Sequence, residues 1–243
     1  MQKALKQGII LTAVALLAAC ARTPAPAPAP RPVVVAPPPP VYIPPRPTPP
    51  GGAPVAMAIP AVGLDAVRMT PNRNLVPEET VWHFRSALNV AALSCQGPAW
   101  TSLAENYNSM LKAHKKRLAQ IDKAMDARYR KQYPGQNALR LRDTKLTDLY
   151  NYFALPPVKG EYCNLAVAKG QEALNIPSDR LEEYAATALN DIDAVFIRFF
   201  NAYADYEIAV ADWDQRYGQR AQLTDPLAST YSPSAFVGPQ PEG

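Results

Sequence analysis

Sixteen of the chain's 27 prolines fall between Ala21 and Pro60, four of them in the run Pro37-Pro38-Pro39-Pro40. Proline fixes φ and has no backbone donor, so this stretch builds neither a helix interior nor a central strand. It divides the 243-residue chain before any other pattern is read. The expected state is extended polyproline II at about 3.1 Å per residue, with an upper reach of about 120 Å for forty residues. Gly51-Gly52 is a flexible break within it. The composition suits a spacer. Arg46-Pro47-Thr48-Pro49-Pro50 reads alternatively as a proline-rich ligand for a partner.

Before the spacer stand Lys3 and Lys6, an apolar run from Gly8, and Leu17-Ala18-Ala19-Cys20. The apolar stretch, twelve residues from Gly8 to Ala19, is short of the roughly twenty that a membrane span needs. A charged start, a short apolar run and small residues before a cleavage point read as a secretory signal. Leu17-Ala18-Ala19-Cys20 resembles the lipobox of bacterial lipoproteins; the alternative is an ordinary signal peptide followed by an incidental cysteine. The resemblance implies cleavage before Cys20, acylation of the new N-terminus and a thioether-linked lipid on that sulfur. Membrane attachment through the N-terminal lipid follows, at about 0.8 kcal/mol per buried methylene. Ala21 stands where an aspartate would imply inner-membrane retention. The same resemblance therefore implies the outer membrane, with the domain facing the periplasm and cell-surface display left open.

Charge sorts by segment. The chain carries 25 basic and 21 acidic residues, with a formal net charge of +4. Five of the basic residues precede Asp65, the first acid, which leaves twenty against twenty-one in the remainder. The folded part is thus close to neutral and gives no electrostatic footprint for nucleic acid.

The periodicity after the spacer is helical, and no run alternates with period two. Pro77, Glu78 and Glu79 open a first helix with stripe residues Val81, Leu88 and Cys95, ended by Gly97-Pro98. A second, long helix runs from Pro98 or Ala99 to Tyr133, with His114 in its apolar stripe. A third covers about Asn137 to Phe153, and a fourth about Val158 to Leu174. The last starts with capping residues at Ser178-Asp179 and runs to Tyr217-Gly218. Such length implies a bend near Asn190 or an end projecting past the others. The expected architecture is an all-α antiparallel bundle of about five helices with one long C-terminal helix, preceded by a disordered proline-rich linker. The segments are a signal peptide over 1–19, a lipidated N-terminus and tether over 20–63, a helical domain over 64–222, and a disordered tail over 223–243.

Few residues point to chemistry. Cys95 and Cys163 form an even pair in an oxidising compartment and are expected to join as a disulfide, with buried free thiols as the alternative. His83 lies four residues after Glu79, and Asn89 or Glu105 is a conceivable third ligand, but no zinc-peptidase motif is present. No metal or other cofactor is implied. No nucleophile elbow or phosphate-binding loop occurs. A wall hydrolase relying on Glu105, or a carrier of a small apolar ligand among Phe196, Phe199, Phe200 and Tyr203, are the alternatives to a binding protein. For those aromatics a filled core is the plainer expectation.

One pattern is more specific. Lys112 to Lys145 holds eleven basic residues and three acids, whereas Ser178 to Asp214 holds nine acids and two basic residues. The plain reading pairs these helices edge to edge. The functional reading is a surface for an anionic partner, formed by Lys112, Lys115, Lys116, Arg117, Arg128, Arg130, Lys131, Arg140 and Arg142. Peptidoglycan or an acidic envelope protein would fit it. The run Leu88 to Gln96, Tyr107-Asn108, and Tyr150-Asn151-Tyr152-Phe153 before Pro156-Pro157 resemble a helical protein family of alphaproteobacteria. That resemblance implies no activity. The layout of long spacer and compact domain is similar to outer-membrane lipoproteins that tether or scaffold envelope machinery, which implies a binding or scaffolding role.

Overall fold

The computed structural model describes residues 42–224, with side chains to 220. The signal, Cys20 and nearly all of the tail expected over 223–243 lie outside the described residues. Six α-helices form an all-α antiparallel bundle: α1 (Pro77–Ser94), α2 (Leu103–Ala113), α3 (Lys115–Gln132), α4 (Ala138–Phe153), α5 (Lys159–Ala173) and α6 (Leu181–Thr224). Among the described residues the only β-pairing is an isolated bridge between Val62 and Arg68. No described helix is long and apolar enough to cross a membrane.

Helix α1 is the axis of the fold and packs against all five others. From Thr80 to Ser94 its one charged residue is Arg85. Val81, Trp82, Phe84, Ala87, Leu88, Val90 and Ala91 are all buried, on more than one face. A helix apolar on most sides needs neighbours on most sides. Its start is fixed by Pro77 in the first turn and by Glu79, whose carboxylate accepts from the Val76 amide at 3.2 Å. At its end Gly97 turns the chain at φ 135°, a conformation that favours glycine.

The expected single helix from residue 98 to 133 is two helices, so the bundle has six. His114 separates α2 from α3 with φ −105° and ψ 14°. Its buried ring leaves the stripe to join three elements: Nε2 donates to the Ala173 carbonyl at 2.9 Å and Nδ1 pairs with Ser178 Oγ at 3.0 Å. No proline or glycine marks this break. Helix α6 shows no interruption at Asn190 and, at 44 residues, is about 66 Å long.

The domain begins before residue 64. The compact unit starts at Ile43, and the later part of the proline-rich segment, nearly half of it, lies against α6. Prolines donate nothing but their carbonyls accept. Trp213 Nε1 donates to the Pro44 carbonyl at 2.8 Å, Tyr203 to that of Pro54 at 2.8 Å, and Arg68 Nη1 to that of Pro60 at 2.6 Å. Arg46 forks onto Asp214 at 2.9 and 2.8 Å. Gly51, at φ 61°, lies so close to Pro157 that a β-carbon would stand 2.9 Å from it.

Cys95, capping α1, and Cys163 of α5 form a disulfide with Cα atoms 5.8 Å apart. It closes a sequence separation of 68 residues, for which loop entropy gives about 4 kcal/mol. Reducing it will lower the unfolding free energy by about that amount, read as a shift in urea midpoint at constant pH with and without reductant.

Candidate functional site

The nine basic residues of the expected surface separate into two groups. Arg117 pairs with Glu182, Arg128 with Glu79 at 3.5 Å, and Arg142 with Asp126 and Asp143. Lys112, Lys115, Lys116, Arg130, Lys131 and Arg140 are exposed and hold no ion pair among the described residues. Only one of these ion pairs, Arg117 to Glu182, runs from the basic helices to α6, so pairing between oppositely charged helices accounts for little of the pattern. Lys123, absent from the expected set, is also exposed and unpaired among the described residues. With it, Lys116, Lys123 and Arg130 recur every seven residues on α3. At 3.6 residues per turn they form one stripe opposite the buried Leu118, Ile121, Met125 and Tyr129.

A second feature is a cleft of about 450 Å³ lined by residues of α1, α3, α4 and the loop before α1. Its walls include Glu79, His83, Arg128, Tyr129, Lys145 and Leu149. The 4-residue spacing of Glu79 and His83 does bring both to one place. Among the described residues no three His, Cys, Asp or Glu side chains converge as metal ligands. Asn89 instead donates to the Tyr150 hydroxyl at 2.7 Å, and Glu105 is exposed.

Behind His83 runs a polar chain that sequence spacing does not show. The buried Asp193 of α6 accepts from Thr70 Oγ1 at 2.8 Å, Asn72 Nδ2 at 2.6 Å and the Tyr152 hydroxyl at 2.7 Å. Burial, then the Asp193 charge, raises the Tyr152 pKa, so its hydroxyl stays a donor. Asn72 gives its amide nitrogen to Asp193 and turns Oδ1 toward His83 Nδ1 at 2.9 Å. An amide oxygen can only accept, so Nδ1 carries the hydrogen and Nε2 keeps a lone pair. Burial first and the Lys145 charge second lower the His83 pKa to about 4.

Lys145 stands 5.6 Å over the Tyr129 ring and 5.8 Å over that of Tyr133. The aromatics weighed as a ligand cavity pack on one another: Phe196 stacks on Tyr152 at 4.6 Å, and Phe199 meets Phe200 and Tyr203 edge-on or tilted. No protein-family model, curated protein or solved structure matches the chain.

Two measurements follow from this chain of bonds. Replacing Asp193 by alanine strands three donors and will cost about 3 kcal/mol or more, measured by urea unfolding. His83 stays neutral in the folded protein while the unfolded chain takes up a proton below its ordinary pKa of 6.5. The unfolded state thus binds more protons between about pH 6.5 and about pH 4, and stability falls as pH falls through that window. The loss reaches about 3 kcal/mol. The stability difference between wild type and His83→Gln will therefore shrink from pH 7 to pH 4; a constant difference would contradict the assignment.

Proposed function

We propose that this chain is a lipid-anchored protein of the bacterial cell envelope. Its helical domain is held off the outer membrane, on the periplasmic side, by the residues before Ile43. It acts as a binding or scaffolding component that grips an anionic partner, peptidoglycan foremost, through the outward face of α3. Attachment rests on the lipobox resemblance of Leu17-Ala18-Ala19-Cys20. The Cys95–Cys163 bond suits an oxidising compartment.

The observation that carries the binding role is the stripe of Lys116, Lys123 and Arg130. These side chains are exposed and free of carboxylates among the described residues. Successive charges lie about 10 Å apart along the axis. The exposed Ala119 and Ala127 between them leave the face open. A line of spaced cations suits an extended polyanion better than a single small anion. Such contacts weaken as salt rises.

Co-sedimentation with purified peptidoglycan sacculi tests this, using residues 43–243 and a variant with Lys116→Glu, Lys123→Glu and Arg130→Glu. These three make no ion pair in the described structure, so the variant keeps its fold. The expected result is salt-sensitive pelleting of the unmodified domain and none of the variant. Equal pelleting of both, or of neither, overturns wall binding through α3. In that case an acidic envelope protein becomes the partner to seek, by cross-linking in intact cells.

A further inference from the structure

The cleft beside His83 makes two demands that the side chains of the described residues leave open, one wholly and one in part. The first comes from the ring. Its Nδ1 hydrogen is committed to Asn72, which is committed in turn to Asp193. Nε2 therefore presents a lone pair. Among the described residues, the one side-chain nitrogen or oxygen sealed from solvent without a partner is Nδ2 of Asn106. Nε2 of His83 has no protein partner among the described residues either, so it is reached from the cleft that the ring lines. An atom that meets it must bring a hydrogen.

The second demand comes from the cations. The lining carries Arg73, Arg128 and Lys145 against Glu79 and Asp148. Arg73 is engaged by Asp65 and Arg128 by Glu79. Glu79 also accepts from the Val76 amide. Lys145 makes no ion pair among the described residues; it rests over two tyrosine rings and gives one hydrogen bond to the Tyr133 side chain, which leaves donors to spare. An ammonium has three donors and no acceptor, so what meets it must be an acceptor, and an anion for preference. Leu75, Leu149 and the Tyr129 ring supply apolar wall to the same cleft. A half-open cleft of about 450 Å³ with a few converging polar groups is of the size that holds a small molecule.

We propose that this cleft binds an N-acylated amino acid, its carboxylate on Lys145 and its amide N–H donated to Nε2 of His83. The chemistry is shared by a free small acid and by the carboxyl end of a peptide. The site is independent of the α3 stripe, because Lys116, Lys123 and Arg130 do not line it. The Asp193–Asn72 chain serves the site by holding the ring in one tautomer, a positioning role.

The chain has only two histidines, which makes the test direct. His114 has both ring nitrogens engaged elsewhere and serves as the internal reference. The full chain, labelled at histidine, is titrated with N-acetylalanine at pH 7 and followed by the ring resonances. A saturating shift at His83 with His114 unmoved is expected, in the millimolar range. N-acetyl-N-methylalanine, which lacks the donor, and the Lys145→Gln variant will each bind at least about tenfold more weakly, a loss of about 1.4 kcal/mol. Lys145 is exposed, and an unchanged His114 signal certifies the variant's fold. No saturable shift at His83 up to tens of millimolar overturns the proposal, as does undiminished binding by the methylated compound or by the variant. Acetyl-trialanine separates the sources: tighter binding than N-acetylalanine points to a peptide end, and equal or weaker binding to a free acid. The peptidoglycan assay can fail while this one succeeds, and the reverse, since the two rest on different residues.

Discussion

Helix α1 is buried around most of its circumference, and the other helices are arranged by that demand. Taking Val81, Trp82, Phe84, Leu88 and Val90 out of water contributes on the order of 10 kcal/mol. No single partner covers them all. Helices α2 to α6 each take part of the surface, and the disulfide ties the end of α1 to α5. Because the centre is itself a helix, its few polar residues sit where neighbours converge. Ser86 bonds back to the Trp82 carbonyl, and the Tyr162 hydroxyl reaches the Ala87 carbonyl. His83, in the second turn, is left at the edge, where the core gives way to the cleft.

Asp193 shows what the packing costs and what it gives. A buried carboxylate without a cation is stabilised only by the donors it gathers. Thr70 and Asn72 come from the loop before α1, and Tyr152 from α4. The loop is therefore not free to drift, and the orientation of one amide sets the tautomer of one imidazole.

Much of the helical architecture was readable because its signals are local. The Pro77-Glu78-Glu79 start of the first helix, the apolar stripes, and the proline and glycine stops all act within one or two turns. The cysteine pair was readable from its even number and from the oxidising compartment that the lipobox resemblance implies. The break at His114 was not, because its cause lies in Ala173 and Ser178, more than fifty residues away. Nor was the His83 site, whose members Asn72 and Asp193 are 121 positions apart. Docking of residues 43–60 is hidden in the sequence for another reason. Proline content speaks of what a segment cannot donate, while the donors that hold this one belong to Arg68, Tyr203 and Trp213.

That docking has a mechanical consequence. Tension drawn along the chain from its N-terminal side enters the folded unit at Ile43 and first meets the Pro44–Trp213 and Arg46–Asp214 contacts. Both sit on the far half of α6, the longest element, away from the core around α1. A pull at Ile43 is therefore borne first by two polar contacts near the far end of α6, at a distance from the side chains buried around α1.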